Sequence, residues 1–71
     1  MAKFRLIICD VEERELHDLE GDYSLATLVK KFGLKIPPRD VFINGVQKRL
    51  WKRYRPDNGD IITFFMKAPV S

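Results

Sequence analysis

Cationic and aromatic side chains are concentrated between residues 48 and 55, in the stretch "KRLWKRYR". Its cations are Lys48, Arg49, Lys52, Arg53 and Arg55. Beside Trp51 and Tyr54 they could bind a single-stranded nucleic acid, since phosphates would pair with the charges and bases would stack on the rings. In so small a domain, however, aromatic rings are usually needed to complete the core. We therefore expect both rings to turn inward, which leaves the cations solvated or docked on an acidic protein surface.

A nucleophile and a general base are present as Cys9 and His17, with several carboxylates nearby in the sequence. Cys9 ends a predicted buried strand, where a free cysteine usually acts as a small apolar side chain. His17 is flanked by acidic residues, as is typical of a solvated position. One cysteine and one histidine do not make a zinc-ligand set, and no glycine-rich phosphate loop occurs. We predict a protein that is not an enzyme and has no cofactor or metal.

The composition indicates one globular domain over residues 1–71, with 45% hydrophobic and 32% charged residues. A single cysteine excludes an internal disulfide, so stability must come from packing. No apolar run approaches the roughly 20 residues that cross a bilayer. We expect a soluble, cytoplasmic chain that does not act at a membrane or on a small-molecule substrate.

Charge is distributed unevenly along the chain, whose net charge is +3. Residues 1–27 carry seven acidic and three basic residues, whereas residues 28–71 carry ten basic and three acidic ones. This asymmetry suggests an acidic face and a basic face, provided that the two halves do not interleave.

The first half of the chain predicts two strands and a helix. "KFRLIIC" (3–9) alternates as a strand, and "RELHDLE" (14–20) reads as a second strand. Leu16 and Leu19 break the alternation of this second strand and suggest a bulge. In "SLATLVKKFG", Ser24 is a helix cap, apolar residues follow at helical spacing, and Gly33 is a C-cap.

The second half predicts strands separated by turns. Pro37 and Pro38 force an extended crossing, and "VFIN" (41–44) is a short strand followed by the hairpin signal Asn44-Gly45. After the turn "DNGD" comes "IITFFMK" (61–67), whose continuous apolarity predicts burial on both faces and a central position. If the first and last strands lie parallel in the middle, the fold is α+β: a ubiquitin-like β-grasp, with one short helix on a mixed four- to five-stranded sheet.

Nearly the whole chain resembles the ThiS/MoaD branch of the ubiquitin-like β-grasp family, through "EGDYSLATLVKKFGL", "VFINGV" and "W..YRPDNGDIITFF". Similar modules occur in tail-tip proteins of tailed bacteriophages. Sulfur carriers of this family end in Gly-Gly, whereas here the tail reads "MKAPVS" and no Gly-Gly occurs. The resemblance therefore implies the fold and a docking role without the sulfur chemistry.

We predict a non-catalytic protein-interaction module, and the resemblance to tail-tip modules implies a phage tail-associated component that would be part of a virion. Its candidate contacts are the five cations of residues 48–55 and an exposed sheet patch of Arg5, Ile7, Arg14 and His17, although Ile7 could be an ordinary surface residue. A nucleic-acid binder using residues 48–55 is the alternative, and a degenerate sulfur carrier is a weaker one.

Overall fold

The fold was obtained as a computed structural model, which describes residues 1–11 and 13–66. Over these residues the elements are β1 (Lys3–Cys9), β2 (Arg14–Glu20), α1 (Leu25–Lys31), β3 (Asp40–Ile43), β4 (Val46–Gln47) and β5 (Ile61–Phe65). Both long amino-terminal strands have the bounds that the sequence predicts. The end of the predicted last strand at residue 67, and the tail that lacks Gly-Gly, lie outside the described residues.

The strands form one mixed sheet in the order β2-β1-β5-β3-β4. β1 is parallel to β5, and the other neighbouring strands are antiparallel. The prediction that the first and last strands lie side by side at the centre is confirmed. The structure is a small α+β fold with an open five-stranded sheet and one short helix, compatible with a β-grasp.

The hydrophobic core lies between one face of the sheet and α1. Its buried apolar side chains are Phe4, Leu6, Ile8, Leu25, Leu28, Val41, Ile62 and Phe64. Alternate residues of β1 and β5 point to this side because successive side chains of a strand face opposite ways. Residues of opposite parity form the other face, which is called the open face below because no helix covers it within the described residues.

The short helix is fixed at both ends by its caps. The Ser24 hydroxyl accepts a hydrogen bond from the Thr27 N–H at 3.3 Å. At the other end, Gly33 has φ +66°, and the N–H groups of Gly33 and Leu34 donate to the carbonyls of Lys30 and Val29. This is a Schellman motif, which satisfies carbonyls that the helix leaves free.

Two expectations about the strands were wrong. The β1–β2 register runs without interruption from Lys3 opposite Glu20 to Cys9 opposite Arg14, so β2 has no bulge. Instead, Leu19 lies on the core face opposite Phe4, and Leu16 lies on the open face. β5 is central but is not buried on both faces, because only the core side of the sheet is covered.

Candidate functional site

An apolar row crosses the open face of the sheet. The strand register aligns Leu16 of β2 with Ile7 of β1, Ile7 with Thr63 of β5, and Thr63 with Phe42 of β3. Ile7 and Phe42 are half-buried by their neighbours, whereas Leu16 is 55% exposed. The sheet therefore presents a largely apolar strip to solvent, with Thr63 as its one polar member.

The ends of the central strand β5 widen this strip. Ile61 and Phe65 remain 45% and 40% exposed, although both belong to a central strand. Phe65 packs edge-on against Phe42, with ring centroids 5.2 Å apart. Clustering of large apolar side chains at the centre of a sheet face is typical of a surface that another molecule covers.

Charged side chains border the strip. The Arg5 guanidinium donates from Nε to Asp18 Oδ1 at 2.9 Å, and this hydrogen bond and the attraction of the carboxylate raise the pKa of Arg5. Both side chains are exposed, so the ion pair contributes little to stability. Arg14 lies opposite Cys9, on the same face as the strip. The structure thus brings together Arg5, Ile7 and Arg14 as the sequence predicts.

His17 lies on the opposite side of the sheet. Its register partner is Leu6, a core residue, and its ring packs 4.6 Å from that of Phe32 beside the helix. Its Nε2 atom is 3.8 Å from a Glu15 carboxylate oxygen and makes no hydrogen bond within the described residues. His17 therefore does not join Arg5 and Ile7, and the sheet separates it from Cys9.

The second surface is the basic loop, residues 48–55, which is anchored by its backbone. The Lys48 N–H donates to the carbonyl of Val41. The carbonyls of Lys52 and Tyr54 accept from the N–H groups of Ala26 and Leu25, at 3.1 and 3.0 Å. These donors belong to the first turn of α1, where a helix has no partners of its own. The loop is consequently held in one conformation against the helix start.

Both aromatic rings of the basic loop are half-buried and pack against the core. Trp51 lies 6.0 Å from Phe64, measured between ring centroids. The Tyr54 hydroxyl donates to Asp60 Oδ2 at 2.6 Å, and this bond, burial and the carboxylate charge raise the pKa of Tyr54 to about 12. The inward orientation agrees with the expectation that these rings complete the core.

Asp60 is the buried centre of a polar cluster at the start of β5. Its Oδ1 accepts from Asn44 Nδ2 at 2.9 Å, and its Oδ2 accepts from the Asp57 N–H at 2.8 Å as well as from Tyr54. Burial by itself raises the pKa of Asp60, but these three hydrogen bonds outweigh it and lower the pKa below its ordinary value. The cluster joins the basic loop to two turns and is structural.

The outward side of the basic loop is almost purely cationic. All five cations are exposed, and none forms an ion pair with another described residue. Leu50, which the sequence reasoning overlooked, is 89% exposed among them and lines a shallow depression of about 420 Å³ with Arg49, Trp51 and Arg53. Its sequence signal was an apolar residue between cations in a segment without strand or helix periodicity.

No group of three or more histidine, cysteine or acidic side chains is placed to hold a metal ion within the described residues. Within the same part of the chain, no helix has the length and apolarity that crossing a lipid bilayer requires. Comparison with protein-family models, with curated proteins and with solved structures found no match to this chain.

Proposed function

We propose that this chain is a non-catalytic protein-interaction module of β-grasp architecture, which binds another protein through the open face of its sheet. The observation that carries the proposal is the exposure of Ile61 and Phe65 on the central strand. A central strand whose apolar side chains point to both faces is typical of a sheet that is covered on both sides. This chain covers one side with α1, so we infer that the partner supplies the second layer.

The polar border of the apolar strip supports the same proposal. An apolar centre with charged groups at its rim is the usual anatomy of a protein interface. Here Arg5 and Asp18 lie on one side of Ile7, and Arg14 lies on the other side, on the two neighbouring strands β1 and β2. The rim charges would select the orientation of the partner, and the apolar centre would supply most of the affinity.

The resemblance to ThiS/MoaD proteins and to phage tail-tip modules suggests which partner to test first. A tail-assembly protein fits a docking module that has no carrier chemistry. An activating enzyme of the ThiS/MoaD type fits the weaker proposal of a degenerate sulfur carrier. A nucleic-acid surface on the basic loop is less favoured, because Trp51 and Tyr54 are engaged with the core and with Asp60.

A site-specific photocrosslinker tests the proposal directly. We would place it at Phe65 on the open face and, as the matched control, at exposed Lys31 on the helix side. A partner should crosslink from Phe65 and not from Lys31. With that partner purified, Leu16→Ser and Phe65→Ser should each raise the Kd by roughly 30-fold, as for interface hot spots.

The control for the affinity measurement is Leu50→Ser, which removes an even more exposed apolar side chain outside the open face. It should leave the Kd unchanged. Crosslinking of the same partner from both positions would contradict the proposal. So would an affinity that depends on Leu50 and not on Phe65.

A further inference from the structure

The two outer strands of the sheet lead to surfaces of opposite charge. β2 forms one edge, and its exposed acidic residues are Glu15, Asp18 and Glu20, preceded by Glu13. β4 forms the other edge and continues directly into the basic loop, which has five cations and no acidic residue. The acidic charges of the first half and the basic charges of the second half therefore lie at opposite edges of the sheet, where they do not cancel each other.

The acidic edge is only partly neutralised within the described residues: Asp18 pairs with Arg5 at 2.9 Å and Glu15 lies 3.8 Å from His17, but Glu13 and Glu20 take part in no ion pair there. The five cations of the basic loop also lack an ion pair. Against four carboxylates, the segment 13–20 carries one arginine. Uncompensated charge of both signs favours an external partner at each surface.

Each surface also carries one exposed leucine. Leu50 is 89% exposed within the basic loop, and Leu16 is 55% exposed on β2. Their contact would remove apolar area from water at the centre of a ring of complementary charges. The anchored backbone of the basic loop favours such docking, since little conformational freedom remains to be lost on binding.

We propose that the basic loop of one copy of this chain binds the acidic β2 edge of a second copy, head to tail. The two surfaces share no residue, so each copy can use both at once. Such an interface is heterologous, and it builds chains or rings instead of stopping at a symmetric dimer. The basic loop goes beyond the proposed function, whereas the acidic edge shares Leu16 and Asp18 with the open face that the proposed function uses.

Mass measurements by sedimentation velocity on the full chain test the arrangement. For the wild type, the average mass should rise with protein concentration and fall when salt is raised from about 50 to about 300 mM, because exposed charge pairs are screened. Arg49→Glu/Arg53→Glu removes the basic surface, and Glu13→Lys/Glu20→Lys removes the acidic one. Each double variant alone should associate at least about tenfold more weakly than the wild type.

Mixing the two double variants is the decisive step. Each has one intact surface, of opposite kind, so the mixture should form a species of twice the monomer mass and nothing larger. Lys30→Glu/Lys35→Glu is the matched control, since it changes the net charge as much as the loop variant does but leaves the loop intact. It should associate like the wild type.

Three results would overturn the proposal. One is a wild type that stays monomeric at about 1 mM protein in low salt, a concentration at which even weak interfaces are populated. Another is a mixture of variants with no dimer. In the third, the wild type does not self-associate but binds a single-stranded oligonucleotide, and the Arg49→Glu/Arg53→Glu variant loses this binding. That result would mean that the basic loop binds nucleic acid. Thermal unfolding of each variant checks that these exposed substitutions leave the fold intact.

Discussion

Replacement of Tyr54 by phenylalanine removes one hydroxyl from the cluster that anchors the basic loop. The ring stays available to pack against the core, while Asp60 Oδ2 loses the donor at 2.6 Å and keeps the Asp57 N–H at 2.8 Å. A hydrogen bond to a charged group contributes about 1.5–3 kcal/mol. Because Tyr54 is half-buried and one donor remains, we expect a loss of about 1.5–2 kcal/mol in the free energy of unfolding at neutral pH.

That loss is large for this domain. Stability of about 0.05–0.15 kcal/mol per residue gives a chain of 71 residues about 4–11 kcal/mol in all. For domains of this size each kcal/mol shifts the Tm by about 4–8 °C, so Tyr54→Phe should lower the Tm by about 6–16 °C.

The pH dependence gives a second, independent signature. The pKa of Asp60 is lowered from 3.8, so its stabilising contribution is complete above pH 3.8 and is lost as the pH falls through the lower folded value. The pKa of Tyr54 is raised from 10.0 to about 12, so its contribution is complete below pH 10.0 and is lost as the pH rises through about 12. Tyr54→Phe should abolish the loss of stability at alkaline pH that comes from Tyr54. It should also move the loss of stability at acid pH, which comes from Asp60, to higher pH.

Urea unfolding of four proteins measures the coupling: wild type, Tyr54→Phe, Asp60→Asn and the double variant. If the hydroxyl acts through the carboxylate, Tyr54→Phe should cost much less in the Asp60→Asn background. Tyr23→Phe is the control, since the Tyr23 hydroxyl makes no hydrogen bond within residues 1–11 and 13–66. An equal cost of Tyr54→Phe in both backgrounds would refute our reasoning.

Substitutions at four further positions test the fold by chemical or thermal unfolding. Ser24→Ala removes the helix cap and should cost about 1 kcal/mol. Gly33→Ala should also cost about 1 kcal/mol. Backbone strain at φ +66° is the whole cause, because a Cβ at this position meets no atom within 4 Å. Gly33→Asn should cost less, since asparagine tolerates the left-handed conformation better than alanine does. Trp51→Ala should cost about 2 kcal/mol, roughly half the figure for a fully buried tryptophan. Leu50→Ala should change the free energy of unfolding by less than about 0.5 kcal/mol, because Leu50 is 89% exposed. A larger change would mean that Leu50 packs against the core.

Local signals in the sequence predicted the elements and their order well. Asn44 and Gly45 form the expected hairpin turn with φ of 52° and 82°, because both central positions of a type I′ turn need positive φ. Ser24 and Gly33 cap the helix as predicted, since each cap depends on a few neighbouring atoms only. The apolarity of β1 and β5 singled them out as central strands, and the structure pairs them in parallel as the β-grasp prediction required.

Features that depend on distant contacts were harder to predict. The leucines of β2 were read as evidence for a bulge, whereas Leu16 and Leu19 face two different surfaces, both apolar. The face on which His17 lies depends on the parity of its pairing with β1, which no local pattern reveals. Leu50 could have been noticed, but its exposure follows from the anchoring of the loop to α1.

The sequence predicted that β5 is buried on both faces, and the failure of this prediction is the most informative of these differences. The pattern of apolar residues in a strand reflects every face on which the strand is covered, including a face that another molecule covers. Ile61 and Phe65 satisfy the sequence rule for a strand covered twice, while the described chain covers it once. A polar variant of this face, such as Phe65→Ser, should therefore cost more affinity in the complex than stability in the isolated chain. The reverse result would mean that the pattern serves the domain itself.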